Sequence, residues 1–389
     1  MTPTKRVMVV LGTRPEAIKL APVIRALART PQLQPVVVVT AQHRHILDQV
    51  LELFGIRPDH DLHIIQPGQT LTDITVRALC GLRPVMADAQ PDLVMVQGDT
   101  TTAFAGALAA FYGRVPVAHL EAGLRTGSTM SPYPEEMNRR LTSQLASLHL
   151  APTPSSRANL LAEGVKPASV VVTGNTVIDA LHWTVGRQVP YGDPALADLD
   201  DEPRRVLLVT AHRRESWGAP MAAIGSALAD IARAEPDLLI VLPVHPNPLV
   251  RDALLPAVGR LANVRVVEPL RYGEFARLMG RAWMVLTDSG GVQEEAPSLG
   301  KPVLVLRDTT ERPEAIAAGT ARLVGTDRDE IVAGVRRLLH DPAAYAGMAN
   351  AVNPYGDGRA AERTCQALAR FFGLDAAVEE FVPQEEEPR

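Results

Sequence analysis

Short, continuous apolar runs rich in β-branched residues alternate along the chain with longer amphipathic stretches. Such runs are typical of strands buried on both faces of a parallel sheet, and the stretches between them, such as 15–29 and 101–112, have helical periodicity. Repeated strand–helix alternation predicts a doubly wound α/β fold. The predicted strands are residues 7–11, 36–40, 93–97, 115–120, 148–151 and 170–173 in the first half, and 206–210, 238–242, 264–267, 284–287 and 303–306 in the second.

The length of the chain and one segment near its middle predict two domains. At 389 residues the chain is longer than one hydrophobic core usually organises. Residues 189–204 separate the two series of strands, are rich in Pro, Asp and Gly, and lack periodicity, so they are the predicted linker. Residues 1–188 then form the first domain and 205–357 the second. The acidic end, residues 375–389, is predicted to be frayed.

Overall charge and cysteine usage exclude several classes of partner. The net charge of −5 gives no basic field that would attract nucleic acid or an anionic membrane. The two cysteines, Cys80 and Cys365, lack a spacing that predicts a disulfide framework or a zinc site. His43 and His45 form an H-x-H pair, but no third ligand has a suitable spacing, so we predict no metal site.

The chain shows neither a signal peptide nor a membrane anchor in its hydrophobic pattern. The apolar run at 7–11 is too short for the core of a signal peptide, and charged residues follow it at once. No run approaches the ~20 apolar residues that a membrane span requires. We therefore expect a cytoplasmic protein without membrane contacts.

The clearest local chemistry follows the predicted strand 284–287, because ligands of open α/β sheets bind outside the carboxyl ends of the strands. The turn Ser-Gly-Gly at 289–291 precedes a predicted helix. A helix start presents unpaired N–H groups and a positive dipole end, and two glycines let a phosphate approach the backbone. Either Glu294 or Glu295 is suited to accept hydrogen bonds from ribose hydroxyls. The alternative is a plain helix start with acidic residues favoured by the dipole.

Charged residues follow other predicted strands as well. Arg312, after the strand 303–306, is placed to bind the same phosphates bidentately, with a surface ion pair as the alternative. Glu121 directly follows the strand 115–120 and precedes a glycine loop, which makes it a candidate for acid/base chemistry. Asp99 lies at a strand–helix junction, where a helix N-cap is the alternative.

Two glutamate–arginine pairs are weaker candidates for the active site. Glu135 and Glu136 precede Arg139 and Arg140 by four residues each, a spacing that is also typical of surface ion pairs on a helix. The sequence alone leaves open whether these residues belong to the active site or form surface ion pairs.

Histidines and cations also stand near strand ends. His212 and His245 follow the first two predicted strands of the second half, which favours a functional role more than a lone histidine would. Arg14 and Lys19 flank the start of the first predicted helix. No G-x-G-x-x-G fingerprint occurs in the chain, which argues against NAD bound in the Rossmann manner.

Taken together, several segments resemble the bacterial non-hydrolysing UDP-N-acetylglucosamine 2-epimerase family. The resemblance runs from about residue 5 to 372. It implies a glycosyltransferase-B-like fold, with two Rossmann-like doubly wound domains facing across a cleft and a C-terminal helix at about 358–374 that crosses back to the first domain. It also implies UDP-N-acetylglucosamine as substrate, no cofactor and a homodimer. The segments are GTRPEAIKLAP, GDTTTAFAGALAAFY, EAGLRTG, SPYPEEMNRR, TGNTVIDAL, TAHRRES, PVHPNP, TDSGGVQEEAPSLGKPVLVLRDTTERPEA and NPYGDG.

The resemblance further implies roles for individual residues. Phe275 would pack on uracil, and Arg139 would orient one of the acid/base carboxylates. Leu270 stands where some relatives carry a polar residue that contacts the base. In this chain, recognition of uracil at that position would use backbone groups. The resemblance implies that UDP is held by Ser289, Gly290, Gly291, Glu295 and Arg312, that catalytic His212 with Arg14 and Lys19 lies near the phosphates, that His245 binds substrate, and that the acid/base carboxylates are Asp99, Glu121 and Glu135.

The chemistry at carbon 2 limits the mechanism. Its proton has no adjacent carbonyl, so direct removal is prohibitive, and oxidation of carbon 3 by NAD is disfavoured by the missing fingerprint. The alternative is to lengthen the anomeric carbon–oxygen bond first, which acidifies carbon 2 and releases UDP from a 2-acetamidoglucal. Protonation from the opposite face and re-addition of UDP then give the epimer. This scheme needs cations for the diphosphate, carboxylates near both faces of carbon 2 and exclusion of water.

Three other functions stay open from the sequence. A glycosyltransferase of the same fold would need an acceptor. A UDP-sugar-binding regulatory protein would bind without turnover. A hydrolysing 2-epimerase would release free N-acetylmannosamine in place of the nucleotide sugar.

A second ligand site is also expected by resemblance, since some bacterial relatives are activated by their own substrate. The candidate regulatory residues are Gln42, His43, Gln69 and Glu136, with a plain helix start at Gln42 and His43 as the alternative. Gly68 stands where some relatives place a basic residue that would hold the second diphosphate. We therefore expect activation that is present but shallow.

Overall fold

A computed structural model describes residues 4–40, 44–66, 68–374 and 376–383 of the chain. Its contacts divide it into two compact units. The first unit comprises residues 1–180 and 355–382, and the second comprises 181–354 and 383–389.

The first unit alternates strands and helices from its beginning. Its described residues form seven strands, and a short 3₁₀ helix, Pro167–Ser169, precedes the last of them. The strands are β1 (Lys5–Leu11), β2 (Leu33–Val39), β3 (His60–Asp61), β4 (Leu93–Gln97), β5 (Val117–Leu120), β6 (Leu148–Ala151) and β7 (Val170–Val172), and the helices are α1 (Arg14–Leu27), α2 (Arg44–Phe54), α3 (Leu71–Ala89), α4 (Thr101–Tyr112), α5 (Glu135–Leu145), α6 (Pro154–Ala162) and α7 (Thr176–Val185).

The second unit repeats this alternation, and the chain then returns to the first unit in a last helix, α15. Short 3₁₀ helices lie at Pro194–Leu196, Arg214–Ser216 and Ala296–Leu299. The strands are β8 (Arg205–Thr210), β9 (Leu238–Pro243), β10 (Val264–Val267), β11 (Met284–Thr287), β12 (Val303–Val305) and β13 (Ala321–Leu323), and the helices are α8 (Ala219–Ala234), α9 (Pro248–Val258), α10 (Tyr272–Arg281), α11 (Gly290–Glu295), α12 (Pro313–Ala317), α13 (Arg328–His340), α14 (Pro342–Ala349) and α15 (Ala360–Phe371).

Each unit is built on one parallel sheet, as the continuous apolar runs predict. The strand order is β3-β2-β1-β4-β5-β6-β7 in the first unit and β10-β9-β8-β11-β12-β13 in the second. Residues 7–11 and 206–209 are completely buried, which explains why these central strands lack polar alternation. In each sheet the order reverses beside the first strand, between β1 and β4 and between β8 and β11. Ligands of doubly wound folds bind at such a reversal.

Two strands have no counterpart among the predicted ones. β3 contains only His60 and Asp61, and β13 contains Ala321, Arg322 and Leu323. Both lie at an edge of their sheet. Edge strands are covered less completely than central ones, so they do not require the continuous apolar run by which the other strands were predicted.

The segment 189–204, whose role as a linker stays a prediction, is contacted by arginines of the second unit. Arg265 Nη1 lies 2.6 Å from the Asp198 carboxylate, and Arg277 Nη1 donates to the Val189 carbonyl at 2.9 Å. Arg281 Nε donates to the Leu199 carbonyl at 3.2 Å. The polar composition that predicted a linker therefore serves to anchor the segment.

The described part of the acidic end packs back onto the first unit. Phe381 is 5% exposed, and its N–H donates to the Val172 carbonyl of β7 at 2.8 Å. Arg157 Nη1 donates to the Glu380 carboxylate at 2.7 Å. Residues 375 and 384–389 lie outside the described part, and the frayed end stays a prediction.

Among the described residues, no helix combines the length and the apolar content that crossing a bilayer requires.

One largely buried carboxylate joins α7 to the last helix. Asp179 accepts hydrogen bonds from the backbone N–H groups of Ala360 at 3.2 Å and Ala361 at 2.8 Å. Burial raises the pKa of Asp179 to about 6, although these two N–H groups lower it, and the Asp357 carboxylate adds to the rise. The protonated form is therefore favoured by folding, and its contribution to stability is present below pH 3.8 and lost as the pH rises through 6.

We predict that Asp179→Asn flattens this pH dependence. An Asn side chain keeps an acceptor for α15 but does not ionise, so the variant should gain stability relative to the parent between pH 4 and 7. The full difference from the ordinary pKa corresponds to about 3 kcal/mol. Urea unfolding at both pH values measures it.

Asp341→Asn is the matched control, because the partly exposed Asp341 also accepts two backbone N–H groups at a helix start, both at 3.0 Å. A relative stability of Asp179→Asn that does not change with pH would contradict the prediction.

Candidate active site

The predicted site residues lie at the carboxyl ends of strands in both units. In the first unit Arg14 follows β1, Asp99 follows β4 and Glu121 follows β5. In the second unit His212 follows β8, His245 follows β9, Ser289 to Gly291 follow β11 and Arg312 follows β12. Each group thus lies at or beside the reversal of strand order in its own sheet.

Glu121 has the most unusual position of these residues. Its backbone φ is +62°, a left-handed conformation that is rare for a residue with a long side chain. Only 7% of the residue is exposed, and its carboxylate accepts hydrogen bonds from Lys19 Nζ, Gln97 Nε2 and Asn175 Nδ2, the last at 3.2 Å. Strained backbone of this kind occurs where surrounding contacts over-determine it, which is common at functional sites.

The loop after β4 places Asp99 beside α5. Arg139 Nη2 lies 2.6 Å from the Asp99 carboxylate, and Asn138 Nδ2 donates to the Asp99 carbonyl at 2.8 Å. Asp99 is 27% exposed at its side chain, so it remains accessible to a ligand. Glu135, at the first position of α5, is partly exposed. Arg139 therefore contacts one candidate carboxylate, and its role in catalysis stays a prediction.

The cations of α1 take two different positions. Lys19 donates to Glu121, so within the first unit it pairs with a carboxylate. Arg14 is exposed in the first turn of the helix. Its side chain is accessible to solvent and hence to an anionic ligand.

A second buried carboxylate, Glu16, supports the loops that carry these residues. Its carboxylate accepts from the N–H groups of Gly12 at 3.0 Å and Thr13 at 2.7 Å, and from the Thr100 hydroxyl at 2.6 Å. Burial raises the pKa of Glu16, while these hydrogen bonds oppose that rise. Glu16 therefore ties the loop after β1 to the loop that contains Asp99.

His119 is a structural residue rather than an exposed acid or base. It is completely buried, and its Nε2 lies 2.8 Å from the Gly98 carbonyl. Because a carbonyl only accepts, Nε2 carries the proton. Burial lowers the pKa of His119 to about 4, so the ring is neutral at pH 7. It holds the loop that precedes Asp99.

In the second unit a buried aspartate orients His212. Asp288 is completely buried, and its Oδ2 accepts from the N–H groups of His212 at 2.6 Å and Arg213 at 2.7 Å. His212 Nδ1 lies 2.9 Å from Oδ1. Burial alone would raise the pKa of Asp288, but the His212 imidazole and these N–H groups lower it.

The ring of His245 stacks on that of His212, with centroids 5.8 Å apart. His245 Nδ1 accepts from the Asn247 N–H at 3.1 Å, which leaves its proton on Nε2. Burial and the neighbouring His212 imidazole lower the pKa of His245. The neutral ring can therefore donate one hydrogen bond from Nε2 to a ligand.

Two guanidinium groups lie at the Ser289 to Gly291 turn. A Cβ built on Gly290 would lie 3.8 Å from Arg213 Nη2 and 4.0 Å from Arg312 Cζ and Nη2. The glycine therefore keeps open a space bordered by two positive charges. Arg312 also donates from Nε to Glu294, which holds its guanidinium in place. Such an arrangement suits a diphosphate.

The residues predicted to contact the nucleoside come from α11 and from the region of α10. Glu295 is 7% exposed and accepts from the Tyr272 hydroxyl at 3.2 Å. Phe275 is partly buried on α10, and Leu270 is partly buried just before that helix. Their contacts with uracil stay predictions.

The candidate regulatory residues are only partly described. Gln42 and His43 lie outside the described residues. Gln69 Oε1 accepts from the Gln66 N–H at 3.0 Å. Glu136 is completely buried and accepts from the Thr126 N–H and from Arg139 and Arg140, each at 3.1 Å, so its carboxylate supports α5 internally. The second ligand site stays a prediction.

In the part of the chain that the structure describes, no group of three or more His, Cys, Asp or Glu residues could hold a metal ion.

Five residues at this site were not singled out from the sequence: Gln97, Asn175, Arg213, Tyr272 and Asp288. One signal was available for four of them, because Gln97 ends β4, Asp288 directly follows β11, Asn175 closely follows β7 and Arg213 closely follows β8. Polar residues at the ends of apolar runs are placed for ligands. Tyr272 carried no comparable signal.

Comparison with known proteins gives a consistent result. The model of the family described as UDP-N-acetylglucosamine 2-epimerase matches residues 25–369. The Escherichia coli (strain K12) UDP-N-acetylglucosamine 2-epimerase is 56% identical over 369 residues, which cover 93% of this chain and 98% of the relative.

Solved structures agree with the sequence relatives. The Neisseria meningitidis UDP-GlcNAc 2-epimerase, solved with UDP-GlcNAc, is 47% identical with a TM-score of 0.84, and the match covers 94% of this chain and all of that one. The S. aureus protein MnaA, solved with UDP, is 43% identical with a TM-score of 0.87 over 97% of this chain and all of that one. The predicted fold class, two Rossmann-like α/β domains of the glycosyltransferase-B type, is confirmed. The chain belongs to the UDP-N-acetylglucosamine 2-epimerase family.

Proposed function

We propose that this protein interconverts UDP-N-acetylglucosamine and UDP-N-acetylmannosamine by inverting carbon 2 without hydrolysis. Membership of the family supports the reaction, and a relative 47% identical was solved with UDP-GlcNAc. The observation in this chain that carries the proposal is the buried, left-handed Glu121. A Cβ on Gly98, the residue before Asp99, would lie 3.4 Å from the Glu121 carboxylate, so two candidate acid/base groups stand on adjacent loops.

The second unit supplies the binding of UDP in this proposal. Arg213 and Arg312 border the space over Gly290, where the diphosphate binds with the Ser289 hydroxyl and the N–H groups of the turn. Glu295 accepts from the ribose hydroxyls, and Phe275 packs on uracil. His212, held by Asp288, and His245 each direct a ring toward the ligand from successive strand ends.

The reaction proceeds by elimination and re-addition. The bond between the anomeric carbon and the diphosphate oxygen breaks with its electron pair going to UDP, while a carboxylate removes the proton at carbon 2. The electron pair of the broken carbon–hydrogen bond becomes the double bond of a 2-acetamidoglucal. A carboxyl on the other face returns a proton to carbon 2 as UDP adds back to carbon 1. Asp99, Glu121 and Glu135 serve as these groups, and no cofactor takes part.

We further propose that the protein is a homodimer in the cytoplasm. The resemblance to the family implies the dimer. The first unit supports it with exposed apolar residues on neighbouring helices, namely Phe111 and Tyr112 at the end of α4, Val76 on α3 and Leu141 on α5. Exposed apolar groups of this kind are common where a second copy binds.

A further prediction concerns binding of the diphosphate. Gly290→Val places methyl groups between the guanidinium groups of Arg213 and Arg312, where no backbone atom would clash. UDP affinity should fall by about 2–4 kcal/mol, or roughly 30- to 1,000-fold in Kd, because charge-assisted hydrogen bonds are lost. Calorimetric titration with UDP measures this.

Gly347→Val is the control, since Gly347 lies in α14 of the same unit, with open space around its Cβ position. It introduces the same side chain into a helix of that unit and should bind UDP normally. Equal UDP affinities in the two variants would refute the diphosphate site.

Another prediction concerns the proton at carbon 2. Turnover of UDP-N-acetylglucosamine alone in deuterated water should place deuterium at carbon 2 of the product and of recovered substrate. Glu121→Gln, Asp99→Asn and Glu135→Gln should each slow this exchange by about 10²–10⁴-fold while UDP binding persists. Proton NMR follows both reactions in one sample.

The same sample distinguishes the other functions. Release of free N-acetylmannosamine would select the hydrolysing reaction, and turnover only with an added acceptor would select a glycosyltransferase. Epimerisation without deuterium uptake would exclude the elimination mechanism.

A further inference from the structure

The surroundings of Glu121 determine how it can react. Its carboxylate is nine-tenths buried, and side-chain donors reach it from three separate elements of the first unit. Lys19 on α1 and Asn175 before α7 donate to Oε1, and Gln97 at the end of β4 donates to Oε2. Both oxygens are therefore engaged by N–H groups, the arrangement that favours the ionised form of a carboxyl group.

The two amide side chains are themselves fixed. Asn175 Oδ1 accepts from the Val177 N–H at 3.1 Å at the start of α7, and the Asn175 N–H donates to the Tyr355 carbonyl at 2.7 Å. Because Oδ1 is engaged as an acceptor, the amide cannot be flipped, and Nδ2 points to Glu121. Gln97 is 3% exposed on a central strand.

We propose that Gln97 and Asn175 are positioning residues that hold Glu121 ionised and aimed at carbon 2, so that it acts as the base of the elimination. This inference rests on the proposed function. Glu121 takes the proton from carbon 2, and the electron pair of that carbon–hydrogen bond forms the double bond to carbon 1. The electron pair of the carbon–oxygen bond leaves with UDP. Neither amide touches the substrate. Their role is to lower the energy of the charged form and to stabilise the left-handed backbone of residue 121.

Asn175→Asp tests this role with almost no change of shape. The variant keeps the oxygen that accepts from Val177, but it replaces the donor to Glu121 with an acceptor of like charge. The two carboxyl groups should then share a proton near neutral pH. Deuterium exchange at carbon 2 should fall about 10- to 100-fold at pH 7, and the acidic limb of its pH profile should move up by about one pH unit. Affinity for UDP should not change.

Asn159→Asp is the matched control. Asn159 lies on α6 of the same unit, and its Nδ2 donates to the Gly123 carbonyl at 3.0 Å, so the replacement also removes a structural hydrogen bond. It should leave the pH profile where it is. Gln97→Glu is a second variant of the same design, and it should move the acidic limb in the same direction as Asn175→Asp.

The outcomes distinguish a failure of the proposed function from a failure of the positioning role. Absence of exchange in the unaltered protein overturns the proposed function itself. Exchange in the unaltered protein, with an unshifted pH profile in both Asn175→Asp and Gln97→Glu, overturns the positioning role while the function stands. A loss of thermal stability without a shift of the profile would also mean a purely structural role.

Discussion

The rest of the site depends on one constraint, which is that carboxylates buried near the ends of the strands must be surrounded by hydrogen-bond donors. Glu16, Glu121, Glu136 and Asp288 are each at most 7% exposed. An ionised carboxylate in such a place costs several kcal/mol unless donors surround it. Each of them accordingly accepts hydrogen bonds from backbone N–H groups, basic side chains or amides. The loops that carry the candidate chemistry are held in place as a result.

In both units a buried carboxylate fixes the loop after the first strand, but the carboxylate comes from different places in the chain. In the first unit Glu16 binds the N–H groups of the loop after β1, and in the second Asp288 binds those of the loop after β8. Glu16 comes from the helix that follows the loop, whereas Asp288 comes from the end of the fourth strand of its sheet. The units share an architecture and a means of fixing one loop, without a repeated sequence.

Much of the fold could be predicted from the sequence, because central strands of a parallel sheet must be apolar throughout. The short edge strands could not, since β3 holds only His60 and Asp61. For the site, position after a strand was informative for Glu121 and Asp99. The partners of these residues were not predictable, because Lys19 is 102 residues from Glu121 and Asn175 is 54 residues from it. Only the folded sheet brings such distant donors to one carboxylate.

The contact of the C-terminal end with β7 affects how the molecule behaves toward other copies of itself. β7 is the last strand of its sheet, and the unpaired carbonyl groups of such a strand can recruit a strand from another chain. Phe381 donates to Val172 and places its ring against Gly174, so the end of the chain covers part of that edge. Proteolytic loss of the segment around Phe381 would leave this strand edge open to pairing with another chain. The same segment packs on the residue that precedes Asn175, so protection of the edge and support of the Glu121 site share one contact.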